Sequence, residues 1–217
     1  MINLKSFLII GMGHFGHHLC RSLAETNCEI MIVDKDETRI EDMLPYVVSA
    51  KIGDCTNIDV LKSFDIPSFD TCFVCMGENF QNSLEITSLL KDCGAKRVVS
   101  KADKDIQEKF LLRNGADAVI YPNKNMAQRY AIRESSEHIF DYISLDSEYS
   151  IYEIDMLDKW VGKSVKDLNF RVKYNLAVLA TKKGSKINPV ITADRVFEKD
   201  EHLLVLGTYE DVKKVTK

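Results

Sequence analysis

The 217 residues carry a formal charge of −4 and are 45% hydrophobic, enough for a sizeable core and for a second, smaller domain. That balance argues against a general nucleic-acid binder, which needs a basic footprint, and no apolar run approaches the roughly 20 residues of a membrane-spanning helix. The six cysteines all lie in the first half, several inside apolar segments, where buried thiols are expected rather than a disulfide framework.

In chain order, a short apolar run at 7–10 meets Gly11, Gly13 and Gly16 and passes into a helical pattern. No signal-peptide architecture precedes it, so a cytoplasmic location is expected. Further apolar runs follow at 29–33, 47–52, 71–76, 97–100 and 118–121. Helical patterns separate them at 37–44, 57–64, 80–92 and 103–113. Runs without in/out alternation suit parallel strands covered on both faces, and alternation with helices gives βαβ units. One amphipathic helix is expected over 125–138, with Met126, Tyr130 and Ile132 among its apolar positions. The stretch 138–150 reads as a connector into a second module. That module has strands near 150–156, 177–182 and 202–207 and helices near 164–168 and 209–215. The expected class is α/β: a Rossmann-like doubly wound parallel sheet with a crossover helix and a small α+β C-terminal domain. The domains fall at 1–138 and 139–217.

Gly11-Met12-Gly13-His14-Phe15-Gly16 has the spacing G-x-G-x-x-G. Gly11 permits a tight turn, Gly13 lets a pyrophosphate approach the backbone, and Gly16 lets helix and strand pack closely. The helix start offers free N–H groups to phosphate. Asp34 closes the second run, placed to accept from a ribose hydroxyl pair and to repel a 2′-phosphate; Lys35 follows it. In an open parallel sheet, ligands sit beyond the carboxyl ends of the strands. Asp54 and Cys55 are therefore expected at the adenine edge, with an Asp/Thr helix cap as the alternative. Gly77 is expected under the nucleotide, and Lys101 facing a phosphate or an acidic partner. Nucleotide-binding residues are thus expected at 11–16, 34, 35, 54, 55, 77 and 101.

Other constellations point nowhere. Cys72 and Cys75 form a CxxC, but inside a strand positions i and i+3 face opposite ways, against both a redox pair and a chelate. His14 and His18 share a helix face, yet no third ligand accompanies them, so no metal site is expected. Trp160 suits a core. The second module shows few groups placed for acid–base work on a substrate, so no catalytic residues are assigned and an enzyme is not expected; a NAD-dependent oxidoreductase is the alternative.

The motifs "GMGHFG", "GDCT", "NFQNSLEITSLLKDCGAKRVVSKA", "LLRNGADAVIYP", "DLNFRVKYNLAVLA" and "NPVITADRVFEKDEHLLVLG", in that order, resemble the Trk/Ktr-type potassium-uptake regulatory subunits, built from an RCK (TrkA-N) domain and a TrkA-C domain. The resemblance covers nearly the whole chain. It implies a gating subunit bound beneath a membrane-embedded potassium transporter subunit, peripheral to the inner face of the membrane. It also implies pairing through the helix after the sixth strand and assembly into an octameric ring. ATP and ADP would favour different ring shapes, with NAD(H) or AMP as alternatives, and a divalent cation could accompany the nucleotide. An RCK regulator of another cation channel is a related alternative. The C-terminal domain of this family can bind cyclic di-AMP, here with Asn175, Ala177, Asn188 and Pro189 in the matching segments. Two positions depart from the pattern. His14 stands where the Ktr type often has arginine, and Asn123 where an acid commonly follows the proline. Both weigh against strict ATP/Mg²⁺ activation, while ATP and ADP stay modestly ahead of the other nucleotides.

Overall fold

The computed structural model describes residues 4–77 and 79–216. Contacts divide the chain into Met1–Lys124 and Asn125–Lys217.

The first unit runs β1 (Lys5–Ile10), α1 (His14–Ala24), β2 (Cys28–Asp34), α2 (Thr38–Glu41), β3 (Ser49–Ile52), α3 (Ile58–Lys62), β4 (Thr71–Val74), α4 (Phe80–Asp92), β5 (Val98–Lys101), α5 (Asp105–Arg113) and β6 (Ala118–Ile120). Its six strands are parallel, in the order β3-β2-β1-β4-β5-β6. Each face of the sheet buries its own apolar layer because strand side chains alternate. Leu8 and Ile10 join Met31, Val33, Cys72, Val74 and the α4 residues Ile86 and Leu90 on one face. Ile9, Ile30, Ile32 and Cys75 join Cys20 of α1 on the other. Cys72 and Cys75 thus point into opposite layers, as their spacing requires.

Helix α6 (Pro122–Glu134) follows. The division between the units falls inside it, ahead of the 138/139 boundary drawn from sequence. It begins three residues before the expected 125 because Pro122 occupies its first position, where the missing N–H costs nothing. It buries no residue, and Met126 and Tyr130 are exposed.

The second unit continues with β7 (Ile139–Ser144), β8 (Tyr149–Asp155), α7 (Val165–Leu168), α8 (Phe170–Tyr174), β9 (Ala177–Lys183), β10 (Lys186–Asn188), β11 (His202–Thr208) and α9 (Tyr209–Thr216). The antiparallel sheet has the order β10-β9-β11-β8-β7. Two strands correct the sequence reading. The expected connector over 138–150 contains β7, which pairs with β8, Tyr142 opposite Tyr152. An edge strand that buries Ile139 alone and carries a register shift between Ile139 and Asp141 shows little alternation in sequence. The short β10 forms a hairpin with β9 around Gly184, whose φ is +59°; its three residues are exposed.

One face of this sheet is sealed by aromatic packing. Trp160 is 0% exposed. Its ring centroid lies 5.0 Å from Phe170 and 5.9 Å from Tyr174, and Phe170 meets Phe197 edge-on at 5.9 Å. Tyr152, Ile154, Leu203, Val205, Val212 and Val215 complete the core. Asn169 and Asn175 terminate α7 and α8 in the left-handed region, which asparagine tolerates.

Candidate functional site

In the first unit, β1 and β4 are neighbours, but their outgoing connections lead to opposite halves of the sheet. A crevice opens at the carboxyl ends of strands where such an order reverses. Here it is a cleft of about 980 Å³.

The glycine loop forms its floor. Gly11 sits at φ +94°, and its N–H donates to the Val33 carbonyl at 2.9 Å. A Cβ on Gly16 would lie 2.1 Å from the Gly11 carbonyl oxygen, so loop and helix approach to a distance that excludes any side chain. A Cβ on Gly13 would meet nothing within 4 Å. Gly13 is also the N-cap of α1. It supplies no side-chain cap, and no acid occupies the first turn, which leaves the helix-start amides to whatever fills the space above them.

Asp34 closes β2 inside the cleft, buried. Its Oδ2 accepts from the Met12 N–H at 2.6 Å and its Oδ1 from the Asp36 N–H at 3.0 Å. The carboxylate therefore ties the glycine loop to the turn after β2. Asp54 accepts from the Thr56 N–H at 3.0 Å and the Thr56 hydroxyl at 2.7 Å. The Thr56 hydroxyl, then its amide, holds the Asp54 carboxyl below the usual range. The helix cap expected here as the alternative is supplied by Asn57, whose side chain accepts from the Asp59 N–H at 2.9 Å. Cys55 and Cys75 are buried, and burial pushes both thiols up to about 12; they are protonated and poor nucleophiles near neutral pH. At the other end, Lys101 is held by Asp103, with Nζ–O distances of 2.7 and 2.9 Å. This ion pair lies against Gly77, where a Cβ would come within 2.6 Å of the ammonium. Of the two partners expected for Lys101, the acid is the one in place.

Of the twelve expected positions, eleven line the cleft: Gly11, Met12, Gly13, His14, Phe15, Asp34, Lys35, Asp54, Cys55, Gly77 and Lys101. Gly16 lies beneath, packed on Gly11. His17 and His18, which the sequence reads as phosphate-adjacent or surface histidines, line the cleft, and so do Arg39, Asn82 and Asp103, which were not expected there. The signal for the histidines was their spacing from His14; nothing local marks Arg39 or Asn82. Asn123 also lines the cleft, and Asn79 caps α4 by accepting from the Asn82 N–H at 3.2 Å. Among the described residues, no group of three or more His, Cys, Asp or Glu side chains is placed to hold a metal ion.

In the second unit the four positions expected for a cyclic dinucleotide are spread out. Asn175 donates to Asp211 Oδ2 at 2.8 Å. Asn188 pairs across the hairpin with Thr181, four residues along β9 from Ala177, about 13 Å at strand rise. Asn188 and Pro189 are exposed.

The fold defines a Rossmann-type domain with an open cleft at the carboxyl ends of its strands, followed by a small antiparallel domain. The TrkA-N domain model matches residues 7–122 and the TrkA-C domain model residues 150–217. The Ktr system potassium uptake protein C of Bacillus subtilis (strain 168) is 34% identical over 213 residues, covering 98% of this chain and 96% of that protein. Among solved structures, the GsuK channel bound to NAD superposes with a TM-score of 0.68 at 14% identity, over 97% of this chain and 38% of that one. The Kef C-terminal domain of Shewanella denitrificans in AMP-bound form gives a TM-score of 0.52 at 20% identity, over 60% of this chain and 80% of that one. The chain belongs to the family of Trk/Ktr-type potassium-uptake regulatory subunits, with a TrkA-N (RCK) domain followed by a TrkA-C domain.

Proposed function

We propose that this chain is a regulatory gating subunit of a potassium uptake system, that it binds an adenine nucleotide in the cleft of its first unit, and that it does not consume it. The observation that carries the reading is the glycine loop. Its uncapped amides open onto a cleft of about 980 Å³, near the upper end of the roughly 300–1,000 Å³ of small-molecule sites. Phosphates would rest on the amides of Gly13 and the first turn of α1. The ribose would sit against Asp34 and the base toward Asp54 and Cys55. The solved relatives are bound to NAD and to AMP, which share an adenylate, and ATP and ADP carry the same group. The Cys55 and Cys75 thiols are buried and protonated and Lys101 is ion-paired with Asp103, so none of the three is available as a nucleophile or base, which favours sensing over catalysis.

The signal would arise because two conformations of the assembled protein bind the nucleotide with different affinity, and a membrane-embedded potassium transporter subunit reads the difference. Among the described residues no helix is long and apolar enough to cross a membrane, so the pore would belong to that partner and this chain would attach to the inner face of the membrane through it. Exposed Met126 and Tyr130 on α6 suit pairing with a second copy, and dimers would build an octameric ring.

The test is calorimetric titration with ATP, ADP, AMP, NAD⁺, NADH and cyclic di-AMP, the last directed at the second unit. At least one adenylate is expected to bind the first unit, and Asp34→Ala to weaken it at least tenfold. Unchanged affinity in that variant would reject the ribose contact.

A further inference from the structure

The chain has five histidines, and three of them, His14, His17 and His18, line the cleft. Their spacing, i, i+3 and i+4, places them on one face of α1. None makes a side-chain hydrogen bond or ion pair with another described residue. The other charged groups around the cleft are largely committed. From β2 and the turn after it, Asp34 is held by the Met12 and Asp36 amides, and Asp36 by Thr38, 3.4 Å from Arg39. Lys35 is free of such partners, and Asp42 follows α2. After β3, Asp54 is held by Thr56; after β5, Lys101 and Asp103 hold each other. The strands beneath α1 face it with apolar side chains and with the Cys75 thiol, which is protonated. The 3-10 turn Leu44–Tyr46 offers α1 the Tyr46 hydroxyl, which accepts from Arg21. Among the described residues of the cleft, Lys35, Asp42 and the three imidazoles make no side-chain hydrogen bond or ion pair.

We propose that His14, His17 and His18 make phosphate recognition in this cleft proton-linked, so that the site takes up protons when it binds a nucleoside polyphosphate and holds it more tightly in acid. The proposal rests on the nucleotide reading above and specifies how that site chooses among nucleotides. A neutral imidazole has one N–H and an imidazolium has two. A neighbouring phosphate favours the charged form of an imidazole. The ligand pulls the other way. A terminal phosphate loses its last proton near pH 6, so its own ionisation strengthens binding as pH rises. Affinity that grows in acid would therefore be a property of the protein. Adenosine lacks the phosphates and should not sense the histidines at all.

The test uses the full chain, with calorimetry at pH 7.0 in two buffers of different ionisation enthalpy and ADP and adenosine as probes. Uptake of about half to one proton is expected with ADP and none with adenosine, and ADP should bind about tenfold more tightly at pH 6.0 than at pH 8.0. The triple substitution His14→Asn, His17→Asn, His18→Asn should abolish the uptake. ADP binding without proton uptake, or equal uptake in the triple variant, overturns the proposal and leaves the cleft reading standing. Failure of ADP, ATP, AMP and NAD⁺ to bind at any pH overturns both. The wild-type buffer comparison decides the matter even if the triple variant does not fold.

Discussion

The two sheets of this chain handle polar groups in opposite ways. In the parallel sheet, strands are covered on both faces, and three polar residues that line the cleft, Asp34, Asp54 and Lys101, all stand at or just beyond carboxyl ends. Loops that must turn there leave amides and carboxylates around an open cleft. In the antiparallel sheet, polar residues sit within the strands and satisfy one another across them. Glu153 of β8 meets Lys182 of β9 at 2.7 Å and His202 of β11 at 2.7 Å. Burial pushes the Glu153 carboxyl up, but Lys182 and His202 outweigh it and hold it below the usual range. A sheet of the first kind keeps chemistry in reserve for a ligand; one of the second kind closes its polar accounts locally.

Two core substitutions break the comparison most sharply. Trp160→Ala removes the centre of the aromatic cluster and should destabilise the second unit by about 3–5 kcal/mol. Denaturant melts should show this loss, while nucleotide affinity in the first unit stays within twofold. Gly16→Ala should do the reverse. The new Cβ would fall 2.1 Å from the Gly11 carbonyl oxygen, and α1 must move off the loop. A cost of about 2–3 kcal/mol is expected, with at least tenfold weaker nucleotide binding and an unchanged tryptophan near-ultraviolet signal. Equal effects of either change on both units would dissolve the contrast.

What could be read from the amino acids follows the same line. Parallel strands announce themselves as apolar runs, and all six were visible, as were the glycine spacing and the acid at the end of β2. Local chemistry fixed those features. The edge strand β7 was not visible, because a strand burying Ile139 alone leaves no pattern to count. Helix 37–44 shrank to the single turn of α2 followed by a 3-10 turn, because Pro45 cannot donate within a continuing helix. The cleft's outer lining was hidden for another reason. Arg39, Asn82 and Asp103 lie on segments far apart in sequence and meet only through strand order. For Lys101, the identity of its partner depended on Asp103, two residues on, curling back over Gly77.

Smaller changes sharpen the electrostatic half of the comparison. Lys182→Met leaves Glu153 with His202 alone, and should cost about 1 kcal/mol or less at neutral pH, since the pair is partly exposed to solvent. The Glu153 carboxyl should rise toward its ordinary value, which carbon-detected NMR titration would follow. A depressed carboxylate adds stability that is present above its unfolded pKa and lost as pH falls through its folded one. The variant should therefore lose less stability than wild type on going from pH 6 to pH 3.

The smallest expected effect tests whether Asp54 belongs to the cleft or only to its own turn. Thr56→Val removes the hydroxyl that does most to hold Asp54 low and keeps the backbone donor. Stability at pH 7 should change by no more than about 0.5 kcal/mol, and the Asp54 carboxyl should move up toward its ordinary value. Its contribution is present above the unfolded pKa of about 3.9 and is lost as pH falls through the depressed folded value, so melts should differ from wild type by that small amount near neutral pH and converge in acid, once Asp54 is protonated in both proteins. Nucleotide affinity at pH 7.5 separates the two roles. If Asp54 serves the turn alone, affinity is unchanged. If it accepts from the bound nucleoside, a carboxylate released from Thr56 reorients, and affinity shifts by more than the small change in stability accounts for.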